Sequence, residues 1–377
     1  MHEFVMPKIN YYGKDSLNSL KSIISKNNLR KGLIITDENL YNLGYTKQIS
    51  DTLKESVVEL NVYHDVRQNP TISNVNEALE IIKSDYYDFI IGLGGGSSND
   101  CAKAVSILAT NDKQIPDLVG LDNSENDGLF LISINTTSGT ASEISRAYLI
   151  DDAEKKEKYI MKDINALPNI SINDTNIMLN LPPNITAMTG MDALTHAIES
   201  YVSKGSYGLT KELSISATYL IFNNLDLVVN DGNNINARDN MVYAQTLAGM
   251  SFCNSGVGLT HSMAHQLGAV YGIPHGLANA ILLPYVIEQN SQFVKNEYEE
   301  LFTRVFNTNC DNKVEALIDK IVNLSKNIGT FKSLRELGVI EDDFLLLTKK
   351  AMNDGNIYKN PFLPKESDIL EIWKKAY

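Results

Sequence analysis

A chain of 377 residues with 43% hydrophobic content exceeds a typical single domain, so two globular domains are expected. A formal net charge of -13 repels polyanions and argues against nucleic acid or an anionic membrane as a partner, without forbidding a dinucleotide held by local backbone donors. No apolar run reaches the length of a membrane span and Met1-His2-Glu3-Phe4 lacks the order of a signal peptide. Cys101, Cys253 and Cys310 form neither a CxxC pair nor a disulfide framework, so a cytoplasmic protein with reduced thiols is expected.

In chain order, short β-rich runs alternate with helical ones: a helix over 16–27, strands over 32–36 and 57–63, a helix over 74–84, then strands over 89–93 and 129–134. This alternation implies a mainly parallel sheet with helices on both faces. Asp37 ends the strand over 33–36, where a carboxylate can accept both adenosine ribose hydroxyls and repel a 2′-phosphate; it is equally placed to cap a helix beginning at Glu38. The strand over 89–93 runs into Gly94-Gly95-Gly96-Ser97 and a helix starting near Asp100. Backbone N–H groups and the positive end of the helix dipole at such a turn make an anion site, and glycines let a pyrophosphate approach the backbone. Gly95, Gly96 and Ser97 are therefore candidates to cradle the pyrophosphate, with Asp100, opening the helix, a further cofactor-site candidate. A second strand opens into the hydroxyl-rich Thr136-Thr137-Ser138-Gly139-Thr140, from which Thr136, Thr137 and Thr140 are cofactor candidates with hydroxyls able to donate to phosphate or ribose. The run 154–158 reads as solvated surface.

After Pro182-Pro183 the texture changes to long amphipathic stretches over 209–225, 237–252, 314–328 and 342–353, and strand patterns vanish. The boundary is placed at Pro183, giving an α/β dinucleotide-binding domain over 1–183 and an all-α metal-binding and substrate domain over 184–377. Within the second region lie Gly190-Met191-Asp192-Ala193-Leu194-Thr195-His196 and His261-Ser262-Met263-Ala264-His265, the latter continuing to Pro274-His275-Gly276. Asp192 and His196 stand four residues apart and share one face of a helix, and His261 and His265 repeat that spacing. Two facing helices would then offer one carboxylate and two or three imidazoles to one ion, a set that suits Fe(II), Zn(II) or Co(II).

These motifs, with Tyr11-Tyr12-Gly13 and Asn69-Pro70-Thr71, carry a resemblance over nearly the whole chain. The sequence resembles the iron-containing (metal-dependent, group III) alcohol dehydrogenase family, most of all its lactaldehyde reductase and 1,3-propanediol dehydrogenase branch. The resemblance implies a Rossmann-like α/β domain plus an all-α domain, the dehydroquinate synthase-like build, with the active site in the cleft between them. It implies Asp192, His196, His261 and His275 as ligands of Fe(II), with Zn(II) the alternative, and NAD as cofactor. His265 matches a histidine that lines the pocket without binding metal, so a proton-relay or positioning role is expected of it. Asn69 matches the turn edging the adenine, and Lys158 a lysine near the ribose.

Substrate contacts are where the sequence departs from its relatives. The lactaldehyde reductase pattern has an asparagine where this chain has Ala147, and a cysteine followed by Asn-Pro-Arg where it has Asn356 and Asn360-Pro361-Phe362, whereas Phe252 is retained. A differently shaped pocket is implied, for a longer or less hydroxylated alcohol.

The expected function is NAD-dependent, metal-dependent dehydrogenation of small primary alcohols or diols, run as aldehyde reduction in a fermenting cell by a homodimer or higher homo-oligomer. The alternatives are a dehydroquinate synthase-like lyase or a glycerol dehydrogenase-like enzyme of the same fold. Synthase chemistry needs cationic groups to grip an acidic substrate, and the segment 261–275 has no Lys or Arg. A metal-bound scaffold would not need the cofactor loops.

Overall fold

The computed structural model describes all residues except Val57 and Lys156, so the first residue of the strand expected over 57–63 and one residue of the 154–158 run lie outside the described residues. The chain divides into two compact units. One comprises Met6–Thr137 with Ala141–Leu179; the other comprises Asn180–Tyr377 with Met1–Val5 and Ser138–Thr140. The two short excursions are not legible as a sequence boundary, because neither carries a compositional change. No helix among the described residues is long and apolar enough to cross a membrane.

The first unit is α/β. Strands β1 (Ile9–Tyr12), β2 (Lys31–Ile35), β3 (Glu59–Tyr63), β4 (Phe89–Gly94), β6 (Phe130–Asn135) and β9 (Ile170–Asn173) form a parallel sheet in the order β1-β9-β6-β4-β2-β3. The remaining strands β5 (Gly120–Leu121), β7 (Ala147–Asp152) and β8 (Glu157–Lys162) make a small second sheet in the order β5-β8-β7. Helices α1 (Ser19–Lys26), α2 (Glu38–Asn42), α3 (Tyr45–Thr52), α4 (Ile72–Ser84), α5 (Gly96–Leu108) and α6 (Thr175–Met178) complete it.

The central strands are apolar on both faces: Leu33, Ile34, Ile90, Ile91, Leu131 and Ile132 are all at most 1% exposed. That is the pattern of a parallel sheet covered on both sides. Leu33, Ile90 and Leu131 pack with α4 and α5, and Ile34, Ile91 and Ile132 with α1 and α3. From β2 the chain steps outward to β3, then returns to place β4 on the other side of β2. The carboxyl ends of β2 and β4 therefore flank the point where the strand order reverses, which is where open parallel sheets bind ligands.

Two expectations are corrected here. The helix after β4 starts at Gly96, four residues before Asp100, because Gly95 can serve as the N-cap residue without a side chain. The 154–158 run is not simply solvated: Glu157 and Lys158 open β8, and Lys158 pairs with Asp151 at 3.1 Å. Strands β1, β5, β7, β8 and β9 add to the four expected.

The second unit is helical: α7 (Pro183–Val202), α8 (Gly208–Asn230), α9 (Ile235–Ser255), α10 (Leu259–Tyr271), α11 (His275–Phe306), α12 (Lys313–Asn327), α13 (Phe344–Met352) and α14 (Glu366–Ala376). Pro183 sits at the first position of α7, where its missing N–H costs nothing. One apolar core joins α7, α8, α9, α11 and α12. A second joins α10, the start of α11, α13 and α14 around Trp373.

Candidate metal centre and dinucleotide turns

Helix α7 carries Asp192 and His196, α10 carries His261 and His265, and His275 is the first residue of α11. Ligand atoms of Asp192, His261 and His275 lie within 4.8 Å of one another. Asp192 Oδ1 is 3.5 Å from His275 Nε2 and 3.8 Å from His261 Nε2. His196 stands at the rim of this group, its Nε2 3.9 Å from Asp192 Oδ1 and its ring stacked on His261 at 4.6 Å and on Phe252 at 4.1 Å. Asp192, His196 and His261 are buried, while the side chain of His275 is 38% exposed. Burial holds the His196 imidazole in its neutral form, the form a metal needs.

The close approach of α11 and of α8 to α7 depends on glycine. A methyl group at Gly276 would stand 2.1 Å from the backbone oxygen of Met188 on α7, and one at Gly190 would stand 2.2 Å from Leu225 of α8.

The group fits a divalent cation. Asp192 is a carboxylate 2% exposed with no Lys or Arg partner among the described residues. A buried charge left so needs a counter-ion. Asn279, one turn into α11, donates Nδ2 to Asp192 Oδ1 at 2.8 Å and lies 3.1 Å from His275 Nε2, while its buried Oδ1 has no hydrogen-bond partner among the described residues.

Three polar side chains escape the sequence reading. Asn279 is one. Glu199 of α7 is another: it is 3% exposed, and its Oε2 lies 2.7 Å from His261 Nδ1. Burial alone would lower His261 and raise Glu199, but the hydrogen bond and charge between them outweigh it, so the imidazole is raised and the carboxyl lowered. Asp354 is the third, its Oδ2 2.7 Å from His265 Nδ1. Burial would raise its carboxyl, yet His265 together with the Asn356 amide keeps it below the ordinary range. A signal was present for Glu199, which follows Asp192 by seven residues and so shares its helix face. One was present for Asn279 too, which follows His275 by four residues on α11, and none for Asp354.

In the α/β unit, Asp37 follows β2 at the sheet's reversal point and accepts the Leu40 amide at 3.1 Å, capping α2. The Gly94 to Ser97 turn follows β4 beside it. Gly94 has φ +151°, and a side chain at Gly95 would meet Thr137 at 3.1 Å. Gly95 caps α5 with no side chain, leaving the first N–H groups of the helix open. Ser97 Oγ donates to the Gln68 carbonyl. Lys158 Nζ is 3.3 Å from Asn69 Oδ1, so these two candidates meet. Asp100 is committed elsewhere: its carboxylate accepts from Ser142 Oγ at 2.6 Å and the Leu149 amide at 3.0 Å, with Lys103 at 3.7 Å. It locks α5 to β7 and does not line the turn. Thr136 and Thr137 stay with this unit, and Thr140 belongs with the helical one.

Among the substrate candidates, Phe252 lies against His196. Asn356 is buried and donates its amide to Asp354 Oδ1 at 2.9 Å. Ala147 starts β7, and its carbonyl accepts from Lys103 Nζ at 2.7 Å.

Comparison with known proteins adds identity to this geometry. Residues 7–175 match the family described as iron-containing alcohol dehydrogenase, and residues 186–377 match the C-terminal part of the Fe-containing alcohol dehydrogenase family. Alcohol dehydrogenase 4 of Schizosaccharomyces pombe is 39% identical over 99% of this chain and 88% of its own length. The 1,3-propanediol dehydrogenase of Citrobacter freundii is 36% identical over 100% of this chain and 99% of its own. The crystal structure of sulfoacetaldehyde reductase from Bifidobacterium kashiwanohense in complex with NAD+ superposes with a TM-score of 0.90 at 26% identity, covering 100% of this chain and 98% of that one.

Proposed function

Because the chain belongs to the iron-containing alcohol dehydrogenase family, in the branch that includes 1,3-propanediol dehydrogenase and lactaldehyde reductase, and is an NAD(H)-using, metal-dependent alcohol dehydrogenase, we propose that it reduces small aldehydes to primary alcohols or diols with Fe(II) at Asp192, His196, His261 and His275. The observation that carries the reading is the gathering of Asp192, His261 and His275 ligand atoms within 4.8 Å. When bound, the divalent ion acts as a Lewis acid on the substrate oxygen.

The chain's own residues supply the rest. Phe252 and His196 form an apolar, stacked wall. Asp354 holds His265 Nδ1, leaving Nε2 as the nitrogen that exchanges a proton. In the α/β unit, the open N–H groups of α5 and the Gly95 to Ser97 turn receive pyrophosphate, Asp37 the adenosine ribose, Asn69 the adenine with Lys158 near the ribose, and Thr136 and Thr137 the nicotinamide half. The α/β domain of residues 1–183 thus binds dinucleotide and the helical domain of 184–377 binds metal and substrate. Ala147 and Asn356 stand where diol-specific relatives carry other residues, which favours a longer or less hydroxylated alcohol. A cytoplasmic location and a homodimeric or larger assembly belong to the same proposal, the latter checked by light scattering.

An aldehyde and alcohol panel, run anaerobically on protein reconstituted with Fe(II), Zn(II) or Co(II), tests the reading. Highest kcat/KM with Fe(II) and a primary aldehyde is expected. Best activity with Zn(II) would overturn the choice of iron, and no activity with any of the three ions would overturn the reading.

A further inference from the structure

From the contacts of Glu199 we infer that this carboxylate is the positioning residue of the metal centre, fixing His261 as the Nδ1–H tautomer so that Nε2 alone faces Asp192 and His275. The inference rests on the metal reading above.

Four nitrogens surround the Glu199 carboxylate, three backbone amides and Nδ1 of His261. Oε2 accepts from the Gly258 amide at 2.9 Å and faces the His261 amide at 3.4 Å and His261 Nδ1 at 2.7 Å; Oε1 accepts from the Thr260 amide at 2.6 Å. The three backbone amides lie at the start of α10, which has no side-chain cap of its own. These amides make Glu199 an acceptor whatever His261 does. His261 Nδ1 must then be the donor, because two acceptors 2.7 Å apart repel. With the proton on Nδ1, the lone pair is on Nε2, the atom 3.8 Å from Asp192 Oδ1. One carboxylate thus anchors the helix that carries two histidines, and sets which nitrogen of His261 is a ligand. Such outer partners of metal-bound histidines typically change affinity by about 10–100-fold when removed.

Glutamine is the informative replacement. It keeps the volume of glutamate but has one acceptor oxygen, so its NH2 group must face either the Thr260 amide or the Gly258 and His261 side. In Glu199→Gln protein stripped of metal and titrated with Zn(II) against a chromophoric chelator, the dissociation constant is expected to rise about 10–100-fold over wild type. Zn(II)-loaded wild type carrying 15N-labelled histidine is expected to show His261 protonated at Nδ1, with that proton far downfield. The tautomer measurement decides alone should the variant fail to fold. Wild-type Zn(II) affinity in Glu199→Gln, or an unprotonated Nδ1 at His261, overturns the role of Glu199 while leaving the metal centre standing. Failure of the wild type itself to bind Zn(II), Fe(II) or Co(II) overturns both.

Discussion

His265 and Asp354 form a buried pair, Nδ1 to Oδ2 at 2.7 Å, on elements 89 residues apart in sequence. The carboxylate fixes the tautomer and orientation of the ring, the arrangement a proton-transferring histidine needs. His265→Ala is expected to leave metal content near the wild-type level and to lower kcat by about 100-fold or more, the usual contribution of a positioned acid-base group. Asp354→Asn should lower kcat less and alter its pH profile. Metal analysis beside the kinetics separates the outcomes: loss of the ion in His265→Ala would place that histidine among the ligands.

Removal of any of Asp192, His261 or His275 is expected to lower bound metal and turnover together, since their ligand atoms converge within 4.8 Å. His196, at the rim of the group, should follow the same pattern. Treatment with a chelator should abolish activity, and returning Fe(II) without oxygen should restore it. Full activity in protein holding no stoichiometric divalent ion would end the metal-centred account.

Asp37 is predicted to set the preference for NADH. Two charges roughly 4 Å apart at an effective dielectric of about 20 interact by about 4 kcal/mol, and solvent screening leaves a smaller but decisive repulsion toward a 2′-phosphate. Because Asp37 also caps α2 through the Leu40 amide, Asp37→Asn and Asp37→Gly should differ in stability by a few tenths of a kcal/mol at most, while both relax the preference toward NADPH. The ratio of kcat/KM for the two coenzymes measures this. An unchanged ratio in both variants would reduce Asp37 to a helix cap.

Gly276→Ala is expected to be costlier than Gly190→Ala. The added methyl at 276 meets a backbone oxygen of α7, which moves only with its helix, whereas at 190 it meets the flexible end of Leu225. Overpacking of this kind costs about 1–3 kcal/mol, so thermal unfolding should show the larger loss at 276. That variant should also bind metal more weakly, because α11 carries His275 beside the displaced contact. Equal losses in the two variants would contradict the rigidity argument.

Much of the fold was legible in local pattern. The runs at 32–36, 89–93 and 129–134 are apolar on both faces, which only a covered parallel sheet accommodates, and they are its central strands. Strands β1 and β9 were missed because four residues carry too little periodicity, and the start of β8 because its charged residues read as solvated surface. Asp192, His196, His261 and His265 were found because a helix places residues four apart on one face, so spacing alone selects them. The sequence by itself thus determined the clustered carboxylate and imidazoles, the glycine turn and the two-part architecture. Tertiary packing alone decided that Asp100 faces Ser142 and Leu149 rather than the turn, and that Glu199, Asp354 and Asn279 reach the histidine and aspartate side chains across 62, 89 and 87 residues. Sequence spacing fixes a side chain's direction on its own helix; which distant donor or acceptor it meets is set only when the helices pack and each buried polar group must find a partner.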